Sequence, residues 1–294
     1  MKVALAGGTG FIGKVVIKKL VEAGHRVVAL IRQGSLLKIA GFSGMESRYI
    51  YYDTPSQVKK SIEDCQAIIN LVGIIRETKD TSFDHAHHYI PLMLVNAARK
   101  TGIKRFIQMS ALGIENASET EYMQTKLLGE NAVKSNGLDW TIFRPSIVFG
   151  PEDKSINLFA RMIRKMPVVP VIGDGKYRFQ PASVFNVADG FVKALNNPKA
   201  YGNIYDVAGP NQYTFNEILD IIGQALGLKK VRKFYQPLGL MKFLAGIFGN
   251  FQFFPVTVDQ IKMLLAENIT DDRSFFSDFS ITPISFKEGI KEYL

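Results

Sequence analysis

The sequence predicts an α/β protein: a doubly wound parallel sheet with helices on both faces, followed by a smaller, irregular C-terminal lobe. Through the first half of the chain, short apolar runs alternate with segments of helical periodicity, the order that builds a parallel sheet. A glycine-dense turn at residues 7–13 joins the first strand to the first helix. After Arg144-Pro145 the alternation becomes irregular, because prolines at 145, 151, 167, 170 and 181 interrupt it.

The predicted strands of the first half are mostly apolar throughout, as strands covered by helices on both faces are. They are predicted over Val3–Ala6, Val27–Ile31, Ser47–Tyr52, Ala67–Leu71, Arg105–Met109 and Trp140–Phe143. Helices are predicted between them, over residues 11–23, 55–63, 82–101 and 120–136. In the first helix Ile12, Val16 and Leu20 recur every four residues, so they form one face that packs on the sheet.

The turn at residues 7–13 has the composition and position of a phosphate-binding loop. A pyrophosphate needs one glycine for a tight turn, a second for close backbone approach and a third where helix packs on strand. The free N–H groups and the positive dipole end of the following helix then face the anion. The turn therefore predicts a Rossmann-type fold that holds a nicotinamide dinucleotide against Gly7, Gly8, Thr9, Gly10, Phe11, Ile12 and Gly13.

This turn also suggests how the chain is divided. We expect residues 1–150 to form the dinucleotide-binding domain and residues 151–294 the smaller substrate or partner lobe. Within the second part, Val187–Leu195 has a helical pattern and Ile204–Val207 a strand pattern. We therefore expect the chain to return to the main sheet over residues 186–207.

The residue that ends the second strand selects between NAD and NADP. An acidic side chain there would bind the ribose 2′-hydroxyl and repel a 2′-phosphate, but the chain has Arg32 followed by Gln33 and Gly34. Arg32 is a permanently charged, planar fork suited to phosphate, and Lys38 is a candidate second cation. NADP or NADPH is therefore the expected cofactor; if Arg32 is only an exposed strand-end residue, NAD remains open.

Composition narrows the classes of function. Cys65 is the one cysteine, which excludes an intramolecular disulfide, and the first strand follows Met1 too closely for a signal peptide, so we expect a cytoplasmic protein. The net charge of +9 comes from scattered Lys and Arg, so no nucleic acid is expected as a partner. His85, His87 and His88 fall on different helical faces without cysteine or acidic partners, so no metal is expected.

Several segments together carry a family resemblance. They are Gly7–Gly13, Arg105–Gly113, the pair Tyr122 and Lys126, and Trp140–Pro151. Through them the chain resembles the atypical short-chain dehydrogenases of the extended type. It is most similar to the branch that contains the nucleotide-binding accessory subunit of respiratory complex I and bacterial proteins related to nucleoside-diphosphate-sugar epimerases. The likeness extends along nearly the whole chain, and its motifs are specific to the superfamily rather than to one reaction.

The resemblance implies further contacts with the cofactor. Asp53, after the third strand, would contact the adenine region, and His87 would be a packed, hydrogen-bonded histidine facing the interior of the cofactor domain. The ribose and nicotinamide end would be lined by Leu71, Val72, Gly73, Pro145, Ile147 and Val148.

Tyr122 and Lys126 correspond to the acid–base pair of the superfamily. Their spacing of four puts both on one helical face, where the ammonium can hold the nicotinamide ribose and lower the pKa of the phenol. Ser110 is the candidate third member, although in extended relatives the hydroxyl falls one or two residues later, where this chain has Ala111 and Leu112. Losing such a donor costs about a hundred- to thousand-fold in rate in other enzymes, so both catalytic and non-catalytic roles stay open.

Residues 234–256 form an apolar, aromatic-rich stretch. Pro237, Gly239 and Gly246 are among the residues that interrupt it too often for a bilayer span of about 20 residues. We expect it to be core of the smaller lobe. The alternative is an exposed patch for a partner protein, a membrane surface or a lipophilic substrate.

Two main functions follow. The first is an NADP-dependent oxidoreductase or nucleotide-sugar epimerase-like enzyme that acts on a small-molecule substrate. The alternative is a non-catalytic NADP(H)-bound accessory or assembly subunit of a membrane-associated respiratory complex, peripheral to the membrane and docked through residues 234–256. A redox sensor of the NADP/NADPH ratio would use the same cofactor site.

Overall fold

The computed structural model describes residues 1–36, 41–115, 120–248 and 256–294. Its strands, in chain order, are β1 (Lys2–Ala6), β2 (Arg26–Ile31), β3 (Met45–Tyr49), β4 (Ala67–Asn70), β5 (Arg105–Met109), β6 (Asp139–Pro145), β7 (Val148–Phe149), β8 (Val169–Ile172), β9 (Arg178–Phe179), β10 (Ala182–Ser183), β11 (Asn203–Val207), β12 (Tyr213–Thr214) and β13 (Lys233–Gln236).

Helices cover much of the remaining described chain. They are α1 (Phe11–Glu22), α2 (Pro55–Ile62), α3 (Ile90–Thr101), α4 (Glu121–Lys134), α5 (Ser155–Lys165), α6 (Val184–Ala194), α7 (Phe215–Ala225), α8 (Leu238–Phe248), α9 (Val258–Leu265), α10 (Ser274–Asp278) and α11 (Phe286–Gly289). A π-helical turn covers His85–Tyr89, and single 3₁₀ turns cover Pro198–Ala200 and Ile290–Glu292.

Seven parallel strands form the central sheet, in the order β11-β6-β5-β4-β1-β2-β3. From β1 the chain moves outward to β3, then returns to β4 and moves out in the other direction to β11. The order therefore reverses between β1 and β4, and a crevice at the carboxyl ends of the strands is expected at that point. This arrangement confirms the predicted doubly wound parallel sheet.

Both faces of the sheet are covered, which explains why its central strands are mostly apolar. In β1, Val3 and Leu5 are buried in the core formed with α1 and α6, whereas Ala4 and Ala6 are buried in the core formed with α2 and α3. The edge strand β11 comes from the second half of the chain and pairs with β6.

The third strand begins and ends earlier than the predicted range Ser47–Tyr52. Its last pairing joins Tyr49 to Ile31, the final residue of β2, so the neighbouring strand offers no ladder beyond that point. Ile50 and Tyr52 are buried and apolar, as in a strand, but they pack beside α2 and α3 after the sheet has ended.

The predicted helix over residues 82–101 is divided into the π-helical turn and α3. Pro91 has no N–H, so it cannot donate the α-helical bond to the carbonyl of His87, four residues earlier. Gly129 of α4 lies directly against that carbonyl, and a Cβ at this glycine would overlap it. The irregular turn thus lets α4 approach closely.

The second half of the chain contains three small two-stranded sheets: β7 with β10, β9 with β12, and β8 with β13. Its core is aromatic, and the Phe149 and Phe286 rings meet with centroids 5.2 Å apart. Strands of two to four residues have too little periodicity to stand out in a sequence.

The helix α8 corrects the expectation that residues 234–256 are wholly core. Met241 and Ala245 are buried, but the opposite face is open: Leu240 is 52% exposed, Phe243 65% and Ile247 50%. Residues 249–255 of this stretch lie outside the described residues. In the part of the chain that the structure describes, none of the helices has the length and hydropathy needed to cross a bilayer.

Candidate cofactor cleft and active site

The turn between β1 and α1 has the geometry that close backbone packing requires. Gly7 has a φ of +81°, which favours glycine, and its carbonyl accepts a hydrogen bond of 3.1 Å from the amide of Gly10. A Cβ at Gly13 would overlap that same carbonyl and the backbone of Gly8. The turn therefore leaves an open, backbone-lined cradle at the amino end of α1, the kind of surface that a pyrophosphate fits.

A crevice of about 450 Å³ opens from this turn, at the point where strand order reverses. The cofactor residues predicted from sequence that line it are Gly7, Thr9, Gly10, Phe11, Arg32, Leu71, Val72 and Gly73. Asp53 does not line it: the carboxylate is largely exposed and bonds the Nε2 atom of His85 at 3.1 Å. Tyr52 and His85, which the sequence reasoning did not select, line the crevice instead.

Arg32 stands at the mouth of the crevice, directly after β2. Its Nη1 atom donates a long 3.4 Å hydrogen bond to Oγ1 of Thr81, which also lines the crevice. Glu152 is the carboxylate among the described lining residues, and it is paired with Lys14 at 2.6 Å. Lys38, the predicted second cation, lies outside the described residues.

A second cavity, of about 400 Å³, adjoins the crevice, since Gly73 and Ile74 line both. It brings together most of the residues predicted for the chemistry and for the nicotinamide: Ile12, Ser110, Tyr122, Lys126, Pro145, Ile147 and Val148. The carboxyl ends of β5 and β6 supply one side of this cavity, and α4 supplies another.

Within the cavity, Tyr122 and Lys126 lie close together, with the Lys126 Nζ atom 5.9 Å from the centroid of the Tyr122 ring. Burial raises the pKa of Tyr122 to about 12 and lowers the pKa of Lys126 to about 8, the latter partly offset by the charge of Glu130. The expectation that the ammonium depresses the pKa of the phenol is therefore wrong for the free protein. The reason is that both groups are removed from water, which disfavours the charged form of each.

Ser110 follows β5, and its amide donates a 2.7 Å bond to the carbonyl of Phe143 in β6. Its side-chain oxygen is buried and has no hydrogen-bond partner within the described residues. Buried hydroxyls nearly always have a partner, so a hydroxyl of this kind on the wall of a cavity is suited to a ligand oxygen. Ala111 and Leu112 also line the cavity but carry no hydroxyl.

Two interactions fix the helix α4: a cap by Thr120, which the sequence did not reveal, and contacts of His87, which is packed and hydrogen-bonded as expected. Thr120 caps it by accepting a 3.3 Å bond from the amide of Met123. His87 contacts Thr125 through Nδ1 at 3.1 Å and the backbone of Ile74 through Nε2 at about 3 Å. Burial, together with the charge of Lys126, lowers the pKa of His87 to about 3, so this histidine is a neutral link between α4 and the loop after β4.

From the sequence, no metal is expected at His85, His87 and His88. The described residues contain no group of three or more His, Cys, Asp or Glu side chains suited to holding a metal ion. His85 and His88 instead bond to Asp53 and Asp84 at 3.1 and 3.0 Å.

The second half of the chain closes the cavity with residues that no sequence pattern pointed to. The helix α9 and the segment after it provide Gln260, Met263, Leu264, Glu267 and Asn268. Asn268 also ties this segment to the loop after β5, because its Nδ2 donates to the carbonyl of Leu112 at 2.9 Å.

Comparison with known proteins agrees with this architecture. The chain is 29% identical to NADH dehydrogenase (ubiquinone) 1 alpha subcomplex subunit 9, mitochondrial, of Arabidopsis thaliana, over 98% of this chain and 76% of that protein. It is 28% identical to the protein of the same name from Mus musculus, over 94% of this chain and 75% of that one.

Solved structures share the fold at lower identity. UDP-glucuronic acid 4-epimerase from Bacillus cereus, in complex with UDP-glucuronic acid and NAD, superposes with a TM-score of 0.79 at 18% identity, covering 100% of this chain and 98% of that one. dTDP-glucose 4,6-dehydratase from Bacillus anthracis, in complex with NAD, gives 0.79 at 17% identity, covering 100% and 95%. The family model for NAD dependent epimerase/dehydratase matches residues 3–208. The chain, with its parallel sheet and glycine turn, therefore belongs to the NAD dependent epimerase/dehydratase family.

Proposed function

We propose that the protein is an NADP(H)-dependent oxidoreductase that interconverts a carbonyl compound and the corresponding alcohol. The observation that carries this proposal is that Ser110, Tyr122 and Lys126 share one cavity, which adjoins the dinucleotide crevice at Gly73. A nicotinamide beside Pro145 would then lie between the ribose-binding residues and the hydroxyl groups.

Each of the three side chains has a role that its surroundings support. When bound, the reduced dinucleotide supplies a hydride to the carbonyl carbon. Tyr122, whose pKa of about 12 keeps it protonated at neutral pH, donates its proton to the carbonyl oxygen and regains one from water. Ser110 donates a hydrogen bond to the same oxygen, and Lys126 holds the nicotinamide ribose and offsets the charge that develops on the phenol. The products are the alcohol and the oxidised dinucleotide.

The preference for the phosphorylated dinucleotide is part of this proposal. Arg32 occupies the position at the end of β2 where an acid would select NAD, and it lines the crevice. The side-chain bond that it makes to Thr81 is long, and within the described residues it leaves most of the guanidinium donors for a 2′-phosphate. The sequence adds Lys38 six residues later.

Single-turnover kinetics with NADPH and a panel of ketones and aldehydes tests the proposal. Tyr122→Phe removes the proton donor, so we expect the rate of nicotinamide oxidation to fall about a hundred-fold or more while NADPH affinity stays unchanged. Tyr235→Phe is the matched control, since Tyr235 is 49% exposed and lies outside the cavity. Full activity in Tyr122→Phe, or no oxidation with any carbonyl compound, would contradict the proposal.

A second candidate function is an accessory subunit that docks on a membrane-associated complex, peripheral to the membrane. It is favoured by the exposed apolar face of α8, formed by Leu240, Phe243 and Ile247. The relatives from Arabidopsis thaliana and Mus musculus, which are named as NADH dehydrogenase subunits, point the same way.

Fractionation of native membranes tests the accessory role. If α8 is the docking face, Phe243→Ser releases the protein from the membrane fraction, whereas Phe185→Ser, at a residue 42% exposed on α6, does not. Wild-type protein found wholly outside the membrane fraction would exclude docking.

A further inference from the structure

We infer that the substrate of the proposed reaction is an uncharged, apolar ketone or secondary alcohol, and that the cavity does not take a nucleoside-diphosphate sugar. This inference rests on the proposed oxidoreductase function and names its substrate class. Its basis is the wall of the cavity beyond the three reacting side chains, which is built mainly from aliphatic and thioether groups, among them Ile75, Met109, Leu112, Met123, Met263 and Leu264.

The charges around the cavity oppose a diphosphate. Among the described residues that line it, Lys126 is the cation, and the proposed reaction assigns this ammonium to the nicotinamide ribose. The carboxylate on the wall is Glu267, which is paired with Arg178 and attracts no anion. Arg178 does not supply the missing charge, because its Nε and Nη2 atoms are held by that carboxylate in two bonds of 2.9 Å. Proteins hold phosphates with free Arg or Lys groups or with helix amino ends. The amino end of α5 reaches this wall at Ser155, but its Ile156 and Asn157 amides already donate to the Asp153 carboxylate.

Two of the three segments outside the described residues contain no Lys or Arg in their sequence. Residues 116–119 read Asn-Ala-Ser-Glu, and residues 249–255 read Gly-Asn-Phe-Gln-Phe-Phe-Pro. Residues 37–40 do contain Lys38, but they follow Arg32 in the chain, and the cofactor proposal assigns them to the adenosine phosphate. Residues 116–119 and 249–255 therefore offer no cation that would neutralise a diphosphate.

Size leads to the same conclusion. Ligand sites commonly measure about 300–1,000 Å³, and this cavity has about 400 Å³. The nicotinamide must occupy part of that volume, since Pro145, Ile147 and Val148 line it. The remaining space suits a compact ketone with an alkyl chain, which can place its oxygen at Ser110 and Tyr122 and its chain against the apolar wall.

The test compares straight-chain methyl ketones, from butanone to decanone, with UDP-glucose and dTDP-glucose. Calorimetry on the NADP-bound protein measures binding, and NADPH oxidation measures turnover. We expect ketone affinity to rise about threefold for each added methylene until the cavity is filled, with no binding of either nucleotide sugar. Binding of a nucleotide sugar, or equal affinity for short and long ketones, would overturn the inference.

A charge placed on the wall gives a second test. Met263→Lys should weaken ketone binding about tenfold or more, with NADPH affinity and the melting temperature unchanged. Met166→Lys is the matched control, because Met166 is 42% exposed and lies outside the cavity. Unchanged ketone binding in Met263→Lys would contradict the apolar site.

These measurements separate the inference from the function on which it rests. If ketones bind with the expected dependence on chain length but are never reduced, the oxidoreductase proposal fails and the apolar specificity of the cavity stands. If a nucleotide sugar is bound and oxidised or reduced, the cavity is catalytic and the substrate class inferred here is wrong.

Discussion

Lys126 is the residue at which stability and the proposed function conflict most, because its buried ammonium destabilises the fold and is proposed to bind the cofactor. The free protein holds its ammonium beside the Tyr122 ring and out of water, where burial lowers its pKa from the ordinary 10.5 to about 8. A buried charge of this kind destabilises the fold whenever it is protonated, and a ligand that contacts it recovers part of the cost. The arrangement is what a site that binds a polar cofactor group requires.

Replacement of this lysine should therefore stabilise the free protein at neutral pH. Between pH values of about 8 and 10.5 the unfolded chain holds a proton on Lys126 that the folded chain has lost, so the free energy of unfolding rises with pH there. Below that window the penalty is fully present, so Lys126→Met should raise the free energy of unfolding at pH 7 by about 1–3 kcal/mol. The gain over wild type should vanish above about pH 10.5.

Denaturant titrations at neutral and alkaline pH measure this difference, with the exposed Lys242→Met as the control. A Lys126→Met protein that is less stable than wild type at pH 7 would show that the ammonium is not destabilised in the fold.

In the proposed preference for NADP, Arg32 is the residue that selects the dinucleotide. Its interaction with a 2′-phosphate would be charge-assisted and is worth about 1.5–3 kcal/mol, so Arg32→Ala should weaken NADPH binding about tenfold to a hundred-fold and leave NADH binding nearly unchanged. Arg26→Ala, at the opposite end of β2, is the control, because Arg26 is exposed and far from the crevice. Equal loss of both dinucleotides would instead make Arg32 a general contact.

Among individual residues, the sequence predicted those whose spacing along a helix is typical of an acid–base pair. It did not predict the cavity residues that come from distant parts of the chain. The four-residue spacing of Tyr122 and Lys126 on a helix is readable, and both line the cavity with Ser110. Their pKa values were not readable, because they depend on burial. Met263 and Asn268 were missed because they come from a segment without a recognisable pattern.

At the scale of elements, the turn between β1 and α1 is the most tightly determined part of the site. The backbone of α1 at Gly13 lies so close to the carbonyl of Gly7 that a methyl group does not fit. The π-helical turn over His85–Tyr89 has a comparable effect on α4, because Gly129 packs against it. In both places two backbone segments lie in direct contact, and a glycine is needed because a Cβ would overlap the neighbouring backbone.

Gly13→Ala should displace α1 from the turn and lower the affinity for any dinucleotide about a hundred-fold or more, since the amides that face the phosphate would move. Gly239→Ala is the matched control: Gly239 lies in α8, nothing lies within 4 Å of its added methyl, and helix propensity favours alanine by about 0.5–1 kcal/mol. Fluorescence titration with NADPH and NADH compares the two variants. Wild-type affinity in Gly13→Ala would mean that the phosphate lies elsewhere.

At the scale of the whole molecule, the cofactor half and the return of residues 186–207 to the main sheet were predictable, and the rest of the second half was not. The strands of the sheet are covered on both sides, so residues 3–6 of β1, 27–31 of β2 and 67–69 of β4 read as uninterrupted apolar runs, and the helices between them have clear periodicity. In the small two-stranded sheets of the second half the strands shrink to two to four residues. The apolar stretch at 234–248 has one buried face and one exposed face. Composition alone could not tell which of its residues are buried and which are exposed.

The account depends on a nicotinamide dinucleotide being held by backbone amides at the β1–α1 turn, with its reactive end in the cavity of Ser110, Tyr122 and Lys126. The most direct measurement is an equilibrium titration of the purified protein with NADPH and with NADH. We predict saturable binding of one molecule of each, with NADPH bound more tightly. Absence of binding for both reduced and oxidised dinucleotides would contradict the account.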